Sequence, residues 1–175
     1  MPDVVAGGLR LLVCGINPGL WSAWSGHHFA GPGNRFWPAL HLAGLTPRVL
    51  SPWEEERLLE HGVGVTNMVA RATATAAELA PAEVREGRRR LEALVARHRP
   101  GAVAVMGMGA YRTAFDARRA ALGRQERDIG GAPAWVLPNP SGLQARYGLE
   151  TIADLLRQAS EDGGSPTRRR PRRSG

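Results

Sequence analysis

Three short apolar runs set the limits on how this chain can fold: Leu9 to Cys14, broken only by Arg10, then Ala102 to Met106, then Ala134 to Leu137. Each is closed by a glycine or proline, namely Gly15, Gly107 and Pro138. Apolar runs of this length, without polar alternation, fit strands buried on both faces. Helical patterns lie between them. Pro81 to His98 places Val84, Leu91, Leu94 and Val95 on one face, with proline at its start and in spite of Gly87. Leu149 to Ala159 repeats the spacing with Leu149, Ile152, Leu155, Leu156 and Ala159. Phe36 to Leu42, Pro52 to His61 and Gly107 to Ala121 read as further helices, Val63 and Val65 as a brief strand running into Thr66-Asn67, and Trp21 to Gly33 as an ordered loop. Alternating strands and helices imply a three-layer α/β/α sandwich around a short, mainly parallel central sheet. In open sheets of this kind ligands bind beyond the carboxyl ends of the strands. The turns that follow the apolar runs are therefore the segments to read for chemistry.

The first is Gly15-Ile16-Asn17-Pro18-Gly19-Leu20. Pro18 disfavours helical geometry at Asn17, so the asparagine is expected extended, with its amide pointing out of the sheet edge. An amide donates and accepts hydrogen bonds but has no useful basicity. It can orient a water and cannot take a proton as a carboxylate does. A turn asparagine bonded to its own backbone fits the same residues. The second turn, Asn139-Pro140-Ser141-Gly142-Leu143, carries a leucine in a loop that should be exposed.

Composition narrows the partners. The chain has 23 basic residues, all arginine, and a formal net charge of +7. Such a balance favours polyanions, although a GC-rich genome also enriches arginine over lysine. Residues 1–160 are read as one domain, and residues 161–175, with Arg168-Arg169-Arg170-Pro171-Arg172-Arg173, as a disordered basic tail. The single cysteine, Cys14, allows no internal disulfide and suits a reducing cytoplasm. No apolar run approaches the roughly 20 residues that span a bilayer, and Met1-Pro2-Asp3 lacks the basic start of a signal peptide. No membrane contact, cofactor or metal is expected. His27-His28 are adjacent and have no cysteine cluster to complete a ligand set. Gly107-Met108-Gly109 lacks the third glycine of a dinucleotide loop, and Arg88-Arg89-Arg90 reads as a solvated helix surface. Trp21 and Trp24 lie close enough to Asn17 in sequence to shape the mouth of a pocket.

Four segments in order carry a family resemblance. Gly15-Ile16-Asn17-Pro18-Gly19-Leu20 resembles the water-positioning motif of the mismatch-specific uracil-DNA and thymine-DNA glycosylases. Gly26-His27-His28-Phe29 with Gly31-Pro32-Gly33-Asn34-Arg35-Phe36-Trp37 resembles their pocket loop. Gly64-Val65-Thr66-Asn67-Met68-Val69 resembles a second pocket segment, and Asn139-Pro140-Ser141-Gly142-Leu143 the DNA-wedge loop of the bacterial branch. The similarity runs from about Leu9 to Leu156.

The resemblance implies that Asn17 places the water that attacks the deoxyribose C1′. Phe29 would offer a stacking face to a flipped pyrimidine. The backbone around Ile16 and Leu20 would bond the base carbonyls, Asn67 the uracil edge, and His28 and Thr73 would complete the pocket. Leu143 would fill the gap left by the base, with Gly142 and Gln144 against the opposite guanine and Arg146, Arg35 and the tail on phosphates. Gln144-Ala145-Arg146-Tyr147-Gly148 departs from the family's usual continuation, so the resemblance carries base excision further than opposite-base preference. The implied partner is double-stranded DNA with a mismatched uracil or related pyrimidine, bound by a monomer. Without lysine, only the N-terminal amine can form a Schiff base, which favours a monofunctional hydrolase. A non-catalytic nucleic-acid-binding module with an arginine-rich tail is the alternative, and a nucleotide-binding protein using Gly107 to Gly109 a third reading.

Overall fold

In a computed structural model that describes residues 1–143 and 146–164, the apolar runs become the middle of a five-stranded sheet. The strands are β1 (Leu11–Gly15), β2 (Val63–Asn67), β3 (Ala102–Met106), β4 (Gly123–Arg124) and β5 (Ala134–Leu137). Their spatial order is β2-β1-β3-β5-β4; all neighbours are parallel except β4, which runs antiparallel to β5. The apolar runs do not alternate because both faces are covered. Leu11, Val13, Ala102, Ala104, Met106, Trp135 and Leu137 face one core with helices α2 (Phe36–Leu42) and α5 (Leu149–Gly163). Leu12, Cys14, Val103, Val105, Ala134 and Val136 face the other with α3 (Pro81–His98) and α4 (Met108–Ala114). This is the three-layer α/β/α sandwich expected from the sequence.

Two features place the site. First, the chain leaves β1 towards β2 on one side and later crosses to β3 on the other, so the topological switch falls beside β1. Second, the register sets Gly15 opposite Asn67 at the carboxyl edge. The segment after β2 is held tightly from below. A methyl group on Gly87 of α3 would lie 2.5 Å from the Met68 carbonyl oxygen, so the glycine that weakens the helical pattern is what lets α3 approach.

The elements differ from the sequence reading in four places. Leu20–Ser25 is a helix (α1), not loop; only Ser22 in it is buried, and its apolar residues Leu20, Trp21 and Trp24 face solvent. Its inward link is polar, the Ala30 N–H donating to Ser22 Oγ at 3.0 Å. Helix α4 stops at Ala114, and Asp116 turns left-handed with φ 50°. The Arg112 guanidinium then bonds the Ala120 carbonyl at 2.6 and 2.9 Å, folding the chain back as a loop. The two-residue strand β4 is too short to carry a pattern. Helix α5 runs to Gly163, past Ala159 and into the segment read as tail, because Asp162 accepts from Trp135 Nε1 at 2.8 Å and pairs with Arg124 at 3.0 Å. Pro52–His61 is helical as read, but wound as 3₁₀ turns and started by a Ser51–Glu54 capping box. Arg168 to Arg173 lie outside the described residues.

Candidate active site

The carboxyl edge of β1 opens into a cleft of about 780 Å³. Gly15, Ile16, Asn17, Leu20, Phe29, Asn67, Thr73, Gly142 and Leu143 all line it. Eight of the residues singled out from sequence thus converge on one space, together with Gly15.

Asn17 is fixed by its amide nitrogen. Nδ2 donates to the Arg71 carbonyl at 2.8 Å and to Thr73 Oγ1 at 2.7 Å. Thr73 Oγ1 has one proton, which it gives to the Thr75 carbonyl at 2.8 Å, so towards Asn17 it acts as acceptor. Both amide hydrogens are therefore used, and Oδ1 remains the acceptor, with no hydrogen bond to it among the described residues. The carbonyl of Arg71 is itself held in place. Its guanidinium bonds Glu83 at 2.7 and 2.9 Å and the Glu78 carbonyl at 3.1 Å. That pairing, with the Ala80 N–H, draws the Glu83 carboxyl down to about 2.

Phe29 and Asn67 stand on either side of Gly15. A Cβ there would meet Asn67 Oδ1 at 2.6 Å and the Phe29 ring at 3.2 Å, so only glycine leaves both where they are. Phe29 takes a left-handed backbone, φ 52°, and its ring stacks on Phe36 with centroids 4.1 Å apart. A non-glycine residue held there carries strain that packing must offset. Asn67 is tied through its own carbonyl, which accepts from Arg90 at 2.6 Å, while the same guanidinium pairs with Asp3 at 2.8 Å. The third arginine of the Arg88–Arg90 run is thus structural at the site rather than simply solvated.

His28 does not line the cleft. It is 1% exposed, and Glu55 explains why. The Glu55 carboxylate accepts from the His28 backbone N–H at 2.8 Å, His28 Nδ1 at 2.9 Å and His27 Nδ1 at 3.1 Å. Burial works to raise the Glu55 carboxyl, but the bonds from the His28 ring and backbone, its charge and the His27 ring outweigh that and hold it below the usual carboxylate range. Glu55 is the only buried carboxylate among the described residues, and it anchors the loop that delivers Phe29. Nothing in the sequence separates it from its neighbours Glu54 and Glu56.

Residues 139–143 are tied to the loop 31–37 by Arg35, which the sequence reading set on phosphate. Its guanidinium instead bonds the carbonyls of Tyr147, Asn139 at 3.4 Å and Ser141 at 3.3 Å, and its N–H bonds Pro140 O at 2.9 Å. Those carbonyls converge on Arg35, which gives each of them a donor. The tip is built by an Asn139 turn, Ser141 N–H to Oδ1 at 3.0 Å, that leaves Leu143 81% exposed. Arg146 lies apart from the first cleft. It borders a second cavity of about 550 Å³ with Tyr147, Gly107, Met108 and Ile16, its guanidinium 5.5 Å over the Tyr147 ring. Gln144 lies outside the described residues.

A family model described as the uracil DNA glycosylase superfamily matches residues 2–160. The chain belongs to the uracil DNA glycosylase superfamily. Superfamily membership makes it a DNA glycosylase, a hydrolase acting on uracil with DNA as its partner. The matched stretch takes in the whole sheet and every residue of the cleft except Met1. For a superfamily member, the residues that sequence reasoning missed are Glu55 and Arg71. The second acts on Asn17 through its backbone carbonyl, which leaves no trace in residue type.

Proposed function

We propose that this glycosylase is monofunctional and hydrolyses the N-glycosidic bond of uracil in mismatched double-stranded DNA, starting base excision repair, with thymine a poorer substrate. The observation that carries this reading is the commitment of both Asn17 amide hydrogens. An acceptor oxygen with a fixed direction, beside a ring face and a second amide, is suited to hold a water against C1′ of an extruded nucleotide. The pyrimidine lies on Phe29, and the Asn67 amide matches an edge that offers one donor and one acceptor. The water oxygen bonds C1′ as the C1′–N1 bond breaks. The base departs as its N1 anion, and the water's proton passes to solvent or to that anion. Among the described residues no carboxylate lines the cleft to take it, so the rate comes from positioning and from stabilising the leaving group. That makes uracil, the better leaving group, the preferred base. Leu143, solvent-exposed on a braced loop, fits the gap in the stack, and Gly142 beside it the opposite base.

The test is a G·U duplex incubated with the protein and then treated with alkali. Strand scission is expected, and Asn17→Ala is expected to abolish it while duplex binding persists. A gel shift without scission by the parent protein would leave only a binding module. Met1 borders the cleft, so borohydride trapping tests its amine directly. No covalent product is expected, and a trapped adduct would make the enzyme a lyase.

A further inference from the structure

Two tryptophans stand in water at the mouth of the cleft. Trp21 is 53% exposed and Trp24 79%, their ring centroids lie 5.5 Å apart, and their planes meet at 89°. With Leu20 they share one face of α1, and Leu20 and Trp21 also line the cleft, so the patch continues the base site. Large apolar side chains left in solvent as a contiguous patch mark a surface that is covered in use. The anchor of α1 to the rest of the fold is its buried Ser22 rather than these rings.

The neighbours decide what covers it. The patch adjoins a cleft that takes a nucleotide of DNA, on a chain of net charge +7. The edge-to-face pair leaves ring surface free for a flat partner. In a duplex, the bases flanking an extruded nucleotide stay stacked with their own strand and offer little to such rings. In a single strand they are free, and every base has a face to stack. Extrusion is also least costly when there is no pair to break.

We propose that Trp21 and Trp24 form a stacking site for an unpaired nucleotide adjoining the one in the cleft, and that this contact sets how fast uracil is excised from a single strand relative to a duplex. The excision half rests on the glycosylase reading, and the binding half does not.

The full chain is titrated by tryptophan fluorescence with a short oligodeoxythymidylate, which contains no uracil. Quenching is expected, with affinity falling about tenfold in Trp24→Ala and largely recovered in Trp24→Phe, at one salt concentration. Excision is then compared on a uracil-containing single strand and on the G·U duplex. The ratio of single-strand to duplex rate is expected to fall by about the same factor in Trp24→Ala. Thermal unfolding unchanged from the parent excludes a folding defect. Absence of quenching in the parent, or equal affinity in Trp24→Ala, overturns the proposal. Self-association that Trp24→Ala abolishes, with oligonucleotide binding intact, overturns it in favour of a second copy on this face. If no substrate is cut yet oligonucleotide binding needs Trp24, the stacking site stands, and the excision half falls together with the glycosylase reading.

Discussion

At Asn17 the direction of one oxygen depends on where two hydrogens go. Thr73 accepts one of them and Arg71 the other. Thr73→Val keeps the shape and removes the acceptor, freeing the amide to turn. Loss of one such bond, worth about 1 kcal/mol, predicts a kcat roughly fivefold or more below the parent in single-turnover excision of G·U DNA, with little change in KM. Thr73→Ser is expected to restore it. A Thr73→Val enzyme at full rate would show that the amide is held without the hydroxyl. Asn17 was legible from its place after a strand and Asn67 from its place at the end of one, whereas Phe29 and Thr73 were legible only through the resemblance. Glu55 was not legible. Its role depends on a 3₁₀ helix turning one of three consecutive glutamates inward, and no linear pattern encodes that choice.

At the scale of elements, the strands read cleanly because covering both faces forces an unbroken apolar run. Helix α1 and strand β4 did not, since one is held by a hydroxyl and the other by two residues of edge pairing. Arg35 was legible as a site residue but not in its role, because the carbonyls it bonds come from a loop more than a hundred residues away. Arg35→Met removes those bonds and leaves the carbonyls without that donor. Excision of G·U DNA is expected to fall at least tenfold, with a loss of about 1–3 kcal/mol in stability measured by urea unfolding. Wild-type excision with unchanged stability would mean the loop is held by other contacts.

For the whole molecule, Glu55 predicts a pH dependence. Its carboxyl is depressed in the folded state, so the stability it contributes is present above the unfolded glutamate range and is lost as pH falls through the folded value. Urea midpoints are expected to hold steady from neutral pH down to the ordinary glutamate range and to drop below it. Glu55→Gln should lower stability at pH 7 by about 2 kcal/mol or more and flatten the acid limb. An acid limb as steep as the parent's would assign it to other carboxylates, Glu83 among them.

On the function proposed above, the brace at Arg35 joins two loops that would meet different parts of a substrate, one beneath the base and the other within the helix it came from. A single planar cation therefore makes the vise and the crowbar one rigid tool. Loosening either jaw slackens the other, and altered selectivity is to be sought in the outer tip from Ser141 onward, where side chains can change while the hinge pin stays seated.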